Sequence, residues 1–292
     1  MCRQLHAPSL VHLEALLMKS VPINILFLCL ARDCENTLPA FFSYLDDLRS
    51  SGLRCSAIIG ENGSRDKTRT LIDQATDPEI DLVDTAVMET VKSRLVRMAI
   101  GRQALLEASN NKGNDPDYIC VVDVDNIMLK PPEPEAVMKG IERLMTDRSL
   151  FAIGATSVPV YYDLLSLRTE GHDYSDLNAE ITAAKKRLLG YFQFHQRRIY
   201  TNQRLMTRPD PILCTSSFNG FCLYNACDYW LGTYRAHNEA NICEHVTLNM
   251  SIARATGKRM LIAPELFVWT PADHAPVGFF CFWIDRIKEL LI

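Results

Sequence analysis

Apolar and polar positions divide the chain into two unequal parts. Up to residue 158, short greasy runs alternate with amphipathic stretches. "INILFLCLA" (23–31) and "CSAIIGE" (55–61) are continuous apolar runs of strand length, the pattern of strands covered on both faces. "IDLVD" (80–84) reads as a shorter strand, "YICVVD" (118–123) as a central one and "FAIGATSV" (151–158) as the last of this half. Between the first two runs, "ENTLPAFFSYLDDLRSSG" has helical spacing, with Thr37 as N-cap, Pro39 in the first turn and Gly52 at the stop. Ser64 is placed to cap "RDKTRTLIDQA", a long helix is expected from Val91 to Ala108, and another over 133–145. Such alternation implies a mainly parallel α/β sheet with helices on both faces.

After residue 160 the order degrades. Residues 161–211 are polar, aromatic and basic, with a helical piece around 177–190. Six arginines and two lysines fall within 168–208, which suits either a solvated insertion or a lid over an acceptor. Regular pattern returns with "ILCTSSFNGFCLYNA" (212–226). A helix, "CEHVTLNMSIARATG", follows and is ended by Gly257, and "RMLIAPELFVW" (259–269) is a last strand.

Composition changes this picture little. Hydrophobic content of 48% and charge of 23% over 292 residues are ordinary for a folded chain. A net charge of -4 gives no overall attraction to nucleic acid. Ten cysteines are scattered without a CxxC pair, which fits free thiols in a reducing, cytoplasmic setting. No run reaches the ~20 apolar residues needed to span a bilayer. "MKSVPINILFLCLA" (18–31) has the outline of a signal peptide with Met18 as an alternative start, but a short apolar part without a clean cleavage site favours a buried first strand. "VGFFCFWIDRIKELLI" (277–292) joins an aromatic cluster to an amphipathic tail. It is expected to pack on the body, with peripheral docking at the inner face of a membrane as the sharper reading.

The candidate chemistry begins with "DVDN" (123–126). Side chains two apart on a strand point the same way, so Asp123 and Asp125 are expected to share one side at the strand's end. Two carboxylates that close repel unless a cation or proton lies between them. In open α/β sheets ligands bind beyond the carboxyl ends of the strands, where "ARDCENT", "ENGSRDKT" and "DVDN" would converge.

An "ENxSxDxT" loop after the second strand, followed some sixty residues later by a strand ending in DxD, resembles the GT-A glycosyltransferases, family-2-like and capsule mannosyltransferase-like. "RLVRMAIGRQALLEAS" (94–109) is similar to the arginine-bearing helix before the DxD strand of such enzymes. "SSFNGFCLYN" (216–225) and "CEHVTLNMSI" (243–252) fall where the acceptor-side strand and the catalytic acidic helix start are found. The resemblance implies a single GT-A domain over 1–292: a nucleotide-sugar half (23–158), an insertion or lid (159–211), and an acceptor-side half with the tail (212–292). It implies a nucleoside diphosphate sugar as donor and a glycan, polysaccharide or lipid-linked hydroxyl as acceptor, with no nucleic acid as partner. Mn²⁺ or Mg²⁺ would suit hard oxygen ligands. Asp125 would hold the metal directly, Asp123 would contact the ribose or a metal-bound water, and His274 in "PADHAP" is a rival metal-binding histidine. Arg32, Glu61, Asn62 and Arg102 would line the nucleotide, and Asn219 and Gly220 the acceptor side. Glu244–His245 stands where the family commonly has Glu-Asp. Glu244 is then the base, with His245 orienting it or completing the metal shell, or His245 is itself the base. The altered pair leaves the stereochemical course open and keeps alive a non-catalytic sugar-nucleotide or glycan-binding module. A sugar nucleotidyltransferase is disfavoured because "LARDCENT" lacks a glycine-rich basic signature.

Overall fold

A computed structural model of the protein describes residues 22–112, 115–172, 174–235 and 242–291; Met18 lies outside them. The first four strands, β1 (Asn24–Ala31), β2 (Arg54–Glu61), β3 (Ile80–Asp84) and β4 (Tyr118–Asp123), run parallel. With β5 (Leu150–Val158), β6 (Ile212–Cys214), β7 (Phe221–Asn225) and β8 (Arg259–Trp269) they form one sheet ordered β3-β2-β1-β4-β7-β5-β8-β6. β7 is antiparallel to both of its neighbours, and β6 pairs antiparallel with β8 at the edge. The mixed, mainly parallel architecture expected for a GT-A-type chain is the one that forms.

Both faces of the sheet are covered because β1 alternates its side chains between two cores. Ile25, Phe27 and Cys29 pack with Phe41 and Leu45 of α1 (Leu38–Ser50) and Val137 and Ile141 of α4 (Pro134–Thr146). Leu26 and Leu28 pack with Leu105 of α3 (Arg94–Asn111) and Leu248 and Ile252 of α9 (Glu244–Thr256). Each fully buried side chain of this kind contributes about 1.5–3 kcal/mol relative to exposure. The register pairs Ala31 with Glu61 and Leu30 with Asp123, so β1, β2 and β4 end level. β1 lies between β2 and β4, the point where winding reverses and a crevice opens.

Several local expectations shift. Thr37 does occupy the position before α1, but its hydroxyl donates to the Val124 carbonyl at 2.5 Å and makes no cap bond. Ser64 does not cap a helix either. Its Oγ accepts from the Asp33 amide at 3.1 Å, and α2 (Thr68–Asp73) starts four residues later. The long third helix starts and ends three residues beyond the expected range. "ILCTSSFNGFCLYNA" splits into edge strand β6 and central strand β7. The 177–190 piece breaks into α5 (Leu177–Ala184) and α6 (Leu188–Phe194), continued by a π-helical turn (His195–Tyr200) and α7 (Thr201–Met206). A short α8 (Ala226–Tyr229) follows β7, and α10 (Phe279–Leu291) ends the described chain. Gly257 closes α9 with φ +70, a left-handed conformation that suits glycine. Among the described residues no helix is long and apolar enough to cross a membrane.

Candidate active site

A cavity of about 630 Å³ opens where β1, β2 and β4 end. That volume is within the range of small-molecule sites, ~300–1,000 Å³. Its walls bring together Arg32, Asn62, Arg102, Asp123 and Asp125 from the first half with Glu244, His245 and His274 from the last third. Segment 159–211 supplies Tyr162, Asp163, Tyr191 and Gln203 to the same cavity, so this stretch is part of the site's wall and not a detached insertion.

The buried element of the site is Arg102, whose side chain is 2% exposed. It reaches the site from α3, and its Nη2 donates to Asp123 Oδ1 at 2.6 Å. Its Nε lies 3.5 Å from Glu244 Oε1, and its guanidinium sits 5.0 Å from the centre of the Phe218 ring. One cation is thus shared by the strand-end aspartate and the helix-start glutamate. Beside it, Gly101 packs closely on its neighbours: a Cβ there would lie 2.4 Å from Met88 Sδ and 3.0 Å from Leu30 Cδ1 of β1.

Burial dominates the proton affinities. It pushes the Asp123 carboxyl up to about 7, against the pull of Arg102 and with help from the Asp125 charge. Glu244 is raised by burial and partly restrained by Arg102. His245 moves the opposite way: burial, then Arg102, hold it well below the ordinary histidine value, so the ring is neutral at pH 7. That ring stacks on Phe218 with centroids 3.6 Å apart. Among the described residues neither ring nitrogen has a hydrogen-bond partner, although Nε2 lies 3.4 Å from Glu244 Oε1.

The DxD pair reaches the cavity by two routes. Asp123 ends β4, and its amide donates to the Gly220 carbonyl at 3.0 Å. Asp125 lies beyond the strand, so pleat alternation alone does not place it. It heads a 3₁₀ turn (Asn126–Leu129), accepting from the Ile127 amide at 3.1 Å. Two hard oxygen donors on one wall, one of them with a proton affinity raised by burial and by the other's charge, fit a divalent cation. His274 lines the same cavity but is stacked on Tyr162 at 5.0 Å and half exposed. Among the described residues no three His, Cys, Asp or Glu side chains are gathered as a metal cage, so Asp123, Asp125 and His274 are not drawn into one cluster.

Other expected residues sort clearly. Arg32 lines the cavity, paired with Glu89 at 3.3 Å. Asn62 lines it with a buried Oδ1 that has no hydrogen-bond partner among the described residues. Glu61 does not line it. Its side chain turns back to accept from the Ser64 amide at 2.6 Å, closing the loop behind the wall. Asn219 and Gly220 also lie behind the wall. Asn219, fully buried at φ +56, accepts from Ser157 Oγ and the Asp163 amide at 3.3 and 3.2 Å. Gly220 has φ +79, and a Cβ there would meet Ile127 Cδ1 at 2.0 Å. The sequence reading missed Asp163 and Phe218, together with Arg94 and Arg97 in the first turn of α3, all of which line the cavity. The helical spacing of Arg94, Arg97 and Arg102 was a signal available for the basic wall.

No family model matches the chain, and no curated protein does either. Among solved structures it is similar to glucosyl-3-phosphoglycerate synthase from Mycobacterium tuberculosis in complex with Mn²⁺, UDP and glucosyl-3-phosphoglycerate: 13% identity, 96% of this chain and 81% of that chain, TM-score 0.47. The complex of that synthase with Mn²⁺ and UDP-glucose gives 14% identity, 95% and 80% coverage and TM-score 0.47. A further mycobacterial protein gives 15%, 94% and 74%, with TM-score 0.46. At this degree of likeness, function rests on the residues of the chain itself.

Proposed function

We propose that the protein is a metal-dependent glycosyltransferase, moving a sugar from a nucleoside diphosphate sugar to a hydroxyl of a glycan, polysaccharide or lipid-linked acceptor. The observation that carries this reading is Arg102, which ties the strand-end Asp123 to Glu244 within one cavity. Arg32 and Asn62, at the ends of β1 and β2, are placed for the nucleotide. Asp123 and Asp125 are the residues that would hold Mn²⁺ or Mg²⁺, which when bound neutralises charge on the departing diphosphate. Transfer breaks the bond between the anomeric carbon and the diphosphate and forms one to the acceptor oxygen. The acceptor's proton passes to Glu244, whose raised proton affinity suits a general base. His245, neutral and stacked, orients that carboxylate and the acceptor hydroxyl. Glu61, Asn219 and Gly220 shape the walls from behind.

The test is thermal stability with UDP-, GDP- and ADP-linked sugars, with and without Mn²⁺. A metal-dependent rise with one donor, abolished in Asp125→Asn, is expected because a ligand that binds only the folded state stabilises it. No rise with any donor would overturn the reading. The exposed stripe Phe280, Ile284 and Ile287 on α10 supports peripheral membrane contact. Co-sedimentation with anionic vesicles that is unchanged in Phe280→Ser would remove that part.

A further inference from the structure

Three consecutive residues ahead of and entering β7 hold three parts of the site. Phe218 stacks on His245 and lies 5.0 Å from the Arg102 guanidinium. The Asn219 amide donates to Asp163 Oδ2 at 3.3 Å. The Gly220 carbonyl accepts from the Asp123 amide at 3.0 Å. Asp163 is thus held by the middle residue, between the one that touches His245 and the one that fixes Asp123. In the sheet, β7 lies across β4 from β1 and β2, whose ends carry Arg32 and Asn62. Asp163 therefore stands on the opposite side of the β4 end from these two residues.

Asn219 is suited to this hold. Its φ of +56 is left-handed, a conformation that glycine adopts freely, and Gly220 follows it at φ +79. An asparagine adds what glycine lacks: its Oδ1 accepts from the Asp163 amide at 3.2 Å and from Ser157 Oγ at 3.3 Å. Asp163 and Asn219 clasp one another, each side chain accepting from the other's amide. Backbone of this kind persists where its surroundings over-determine it, and functional sites are where it clusters.

The clasp leaves half of the Asp163 carboxylate unused. A carboxylate accepts hydrogen bonds at about four lone-pair positions. Among the described residues one amide reaches each oxygen, Ser166 at Oδ1 and Asn219 at Oδ2, both at 3.3 Å. No lysine or arginine among them pairs with it, and it is not gathered with Asp123 and Asp125 into a metal cage. Such a half-buried carboxylate on the cavity wall calls for neutral donors, one at each oxygen.

We infer that Asp163 selects the transferred sugar: its two oxygens take neighbouring hydroxyls of the donor's sugar ring, and Asn219 is the positioning residue that aims them. This rests on the glycosyltransferase reading and deepens it. In that reaction the anomeric carbon passes from the metal-held diphosphate to an oxygen at Glu244, so the ring occupies the span where Asp163 is held. Hydroxyl bonds to a carboxylate are charge-assisted and directional. A ring lacking the hydroxyl leaves the acceptor unpaired and is disfavoured. Nucleobase and acceptor also offer donors, so the test must separate three sources.

Calorimetry in Mn²⁺ compares UDP with UDP-glucose, GDP with GDP-mannose and ADP with ADP-glucose. The pair that binds is measured again on Asp163→Asn and Asn219→Gly, with circular dichroism to confirm their fold. Asp163→Asn should bind the sugar nucleotide about tenfold or more weakly, with its affinity for the nucleoside diphosphate alone retained. Asn219→Gly keeps the left-handed backbone without the clasp and should move the same ratio in the same direction, which a loss of stability alone would not do. Donors lacking one ring hydroxyl at a time should bind the wild type about tenfold more weakly at one or two positions, and Asp163→Asn should be indifferent to those positions. Three results overturn the inference. An equal fall for both ligands puts Asp163 at the nucleotide or metal, and an unchanged ratio in Asp163→Asn leaves it to the acceptor. The third, no ring hydroxyl that matters to the wild type, is read whether or not the variants fold. An unchanged ratio in Asn219→Gly alone removes its positioning role. If no member of the three pairs binds, the glycosyltransferase reading falls and this inference falls with it. The first three results leave nucleotide binding by the wild type intact, so the two failures are distinguishable.

Discussion

Replacing Arg102 with Met removes a guanidinium that two carboxylates share while keeping most of the aliphatic stem. Arg102 is 2% exposed and holds Asp123 at 2.6 Å and Glu244 at 3.5 Å. Taking one partner from a buried pair costs about 3–5 kcal/mol, because the remaining charge stays buried without compensation. Asp123 keeps 29% side-chain exposure, so water relieves part of that, and the lower end of the range applies. At about 2–4 °C per kcal/mol for a chain of this size, Tm should fall by about 6–12 °C at pH 8. The sign with pH follows from linkage. Asp123, at about 7, and Glu244, also raised, bind protons more tightly folded than unfolded. Their contribution is therefore full at low pH and lost as pH rises through the folded values. Without Arg102 both values rise further, so the variant suffers most above pH 7. Near pH 5 Asp123 is protonated, and the buried cation of the wild type has lost that anionic partner. The gap between the two proteins should narrow there. Urea denaturation followed by circular dichroism at pH 5, 6.5 and 8 measures it. An equal loss at all three values would show that Arg102 acts through packing on Phe218 and not through charge, and the electrostatic account would be wrong.

His245→Phe should keep the stack on Phe218 and remove a titration. Because His245 is held well below 6.5 in the fold, its contribution is full above pH 6.5 and declines below it, by up to about 1.4 kcal/mol per pH unit. The stability of the variant should therefore fall less steeply from pH 6.5 to 5 in urea titrations, and an unchanged slope refutes the buried-neutral assignment. Gly220→Ala should destabilise by about 1–3 kcal/mol through the clash with Ile127 and the positive φ, read as a lowered urea midpoint. Asp125→Asn should leave the melting temperature without metal nearly unchanged, since an amide oxygen can still accept from the Ile127 amide, while calorimetric Mn²⁺ binding is lost.

Strand–helix alternation in the first 158 residues made the parallel half of the sheet legible, because β1, β2 and β3 pair in sequence order and β4 joins the free side of β1. The insertion of β7 between β4 and β5 was not legible. "FCLYN" carries only its apolar character, and nothing local says which two strands it will divide. The site follows the same division. Asp123 and Asp125 stood out because their chemistry is written in four adjacent residues. Asp163 and Phe218 reach the cavity only through folding of distant segments: Asp163 sits in an unpatterned stretch, and Phe218 in a patterned one that does not say which side chain faces the site. Glu61, Asn219 and Gly220 show the converse error. A loop motif marks where a wall is built, but whether a side chain faces the ligand or braces the wall depends on one rotamer or one φ. Glu61 turned to the Ser64 amide and Asn219 to Ser157, and both were lost to the cavity.

The pairing of β4 with β7 also bears on how the molecule assembles. Asp123, held by the Gly220 carbonyl, gains that neighbour from almost a hundred residues further along. A chain emerging during synthesis would complete β1 to β4 early and leave one side of β4 as an open sheet edge until β7 arrived. Such edges invite pairing with foreign strands, and contacts of long sequence separation form slowly. A fragment ending at residue 158 should accordingly retain the parallel strands yet associate or precipitate. The acidic site is thus among the last parts of the fold to be secured.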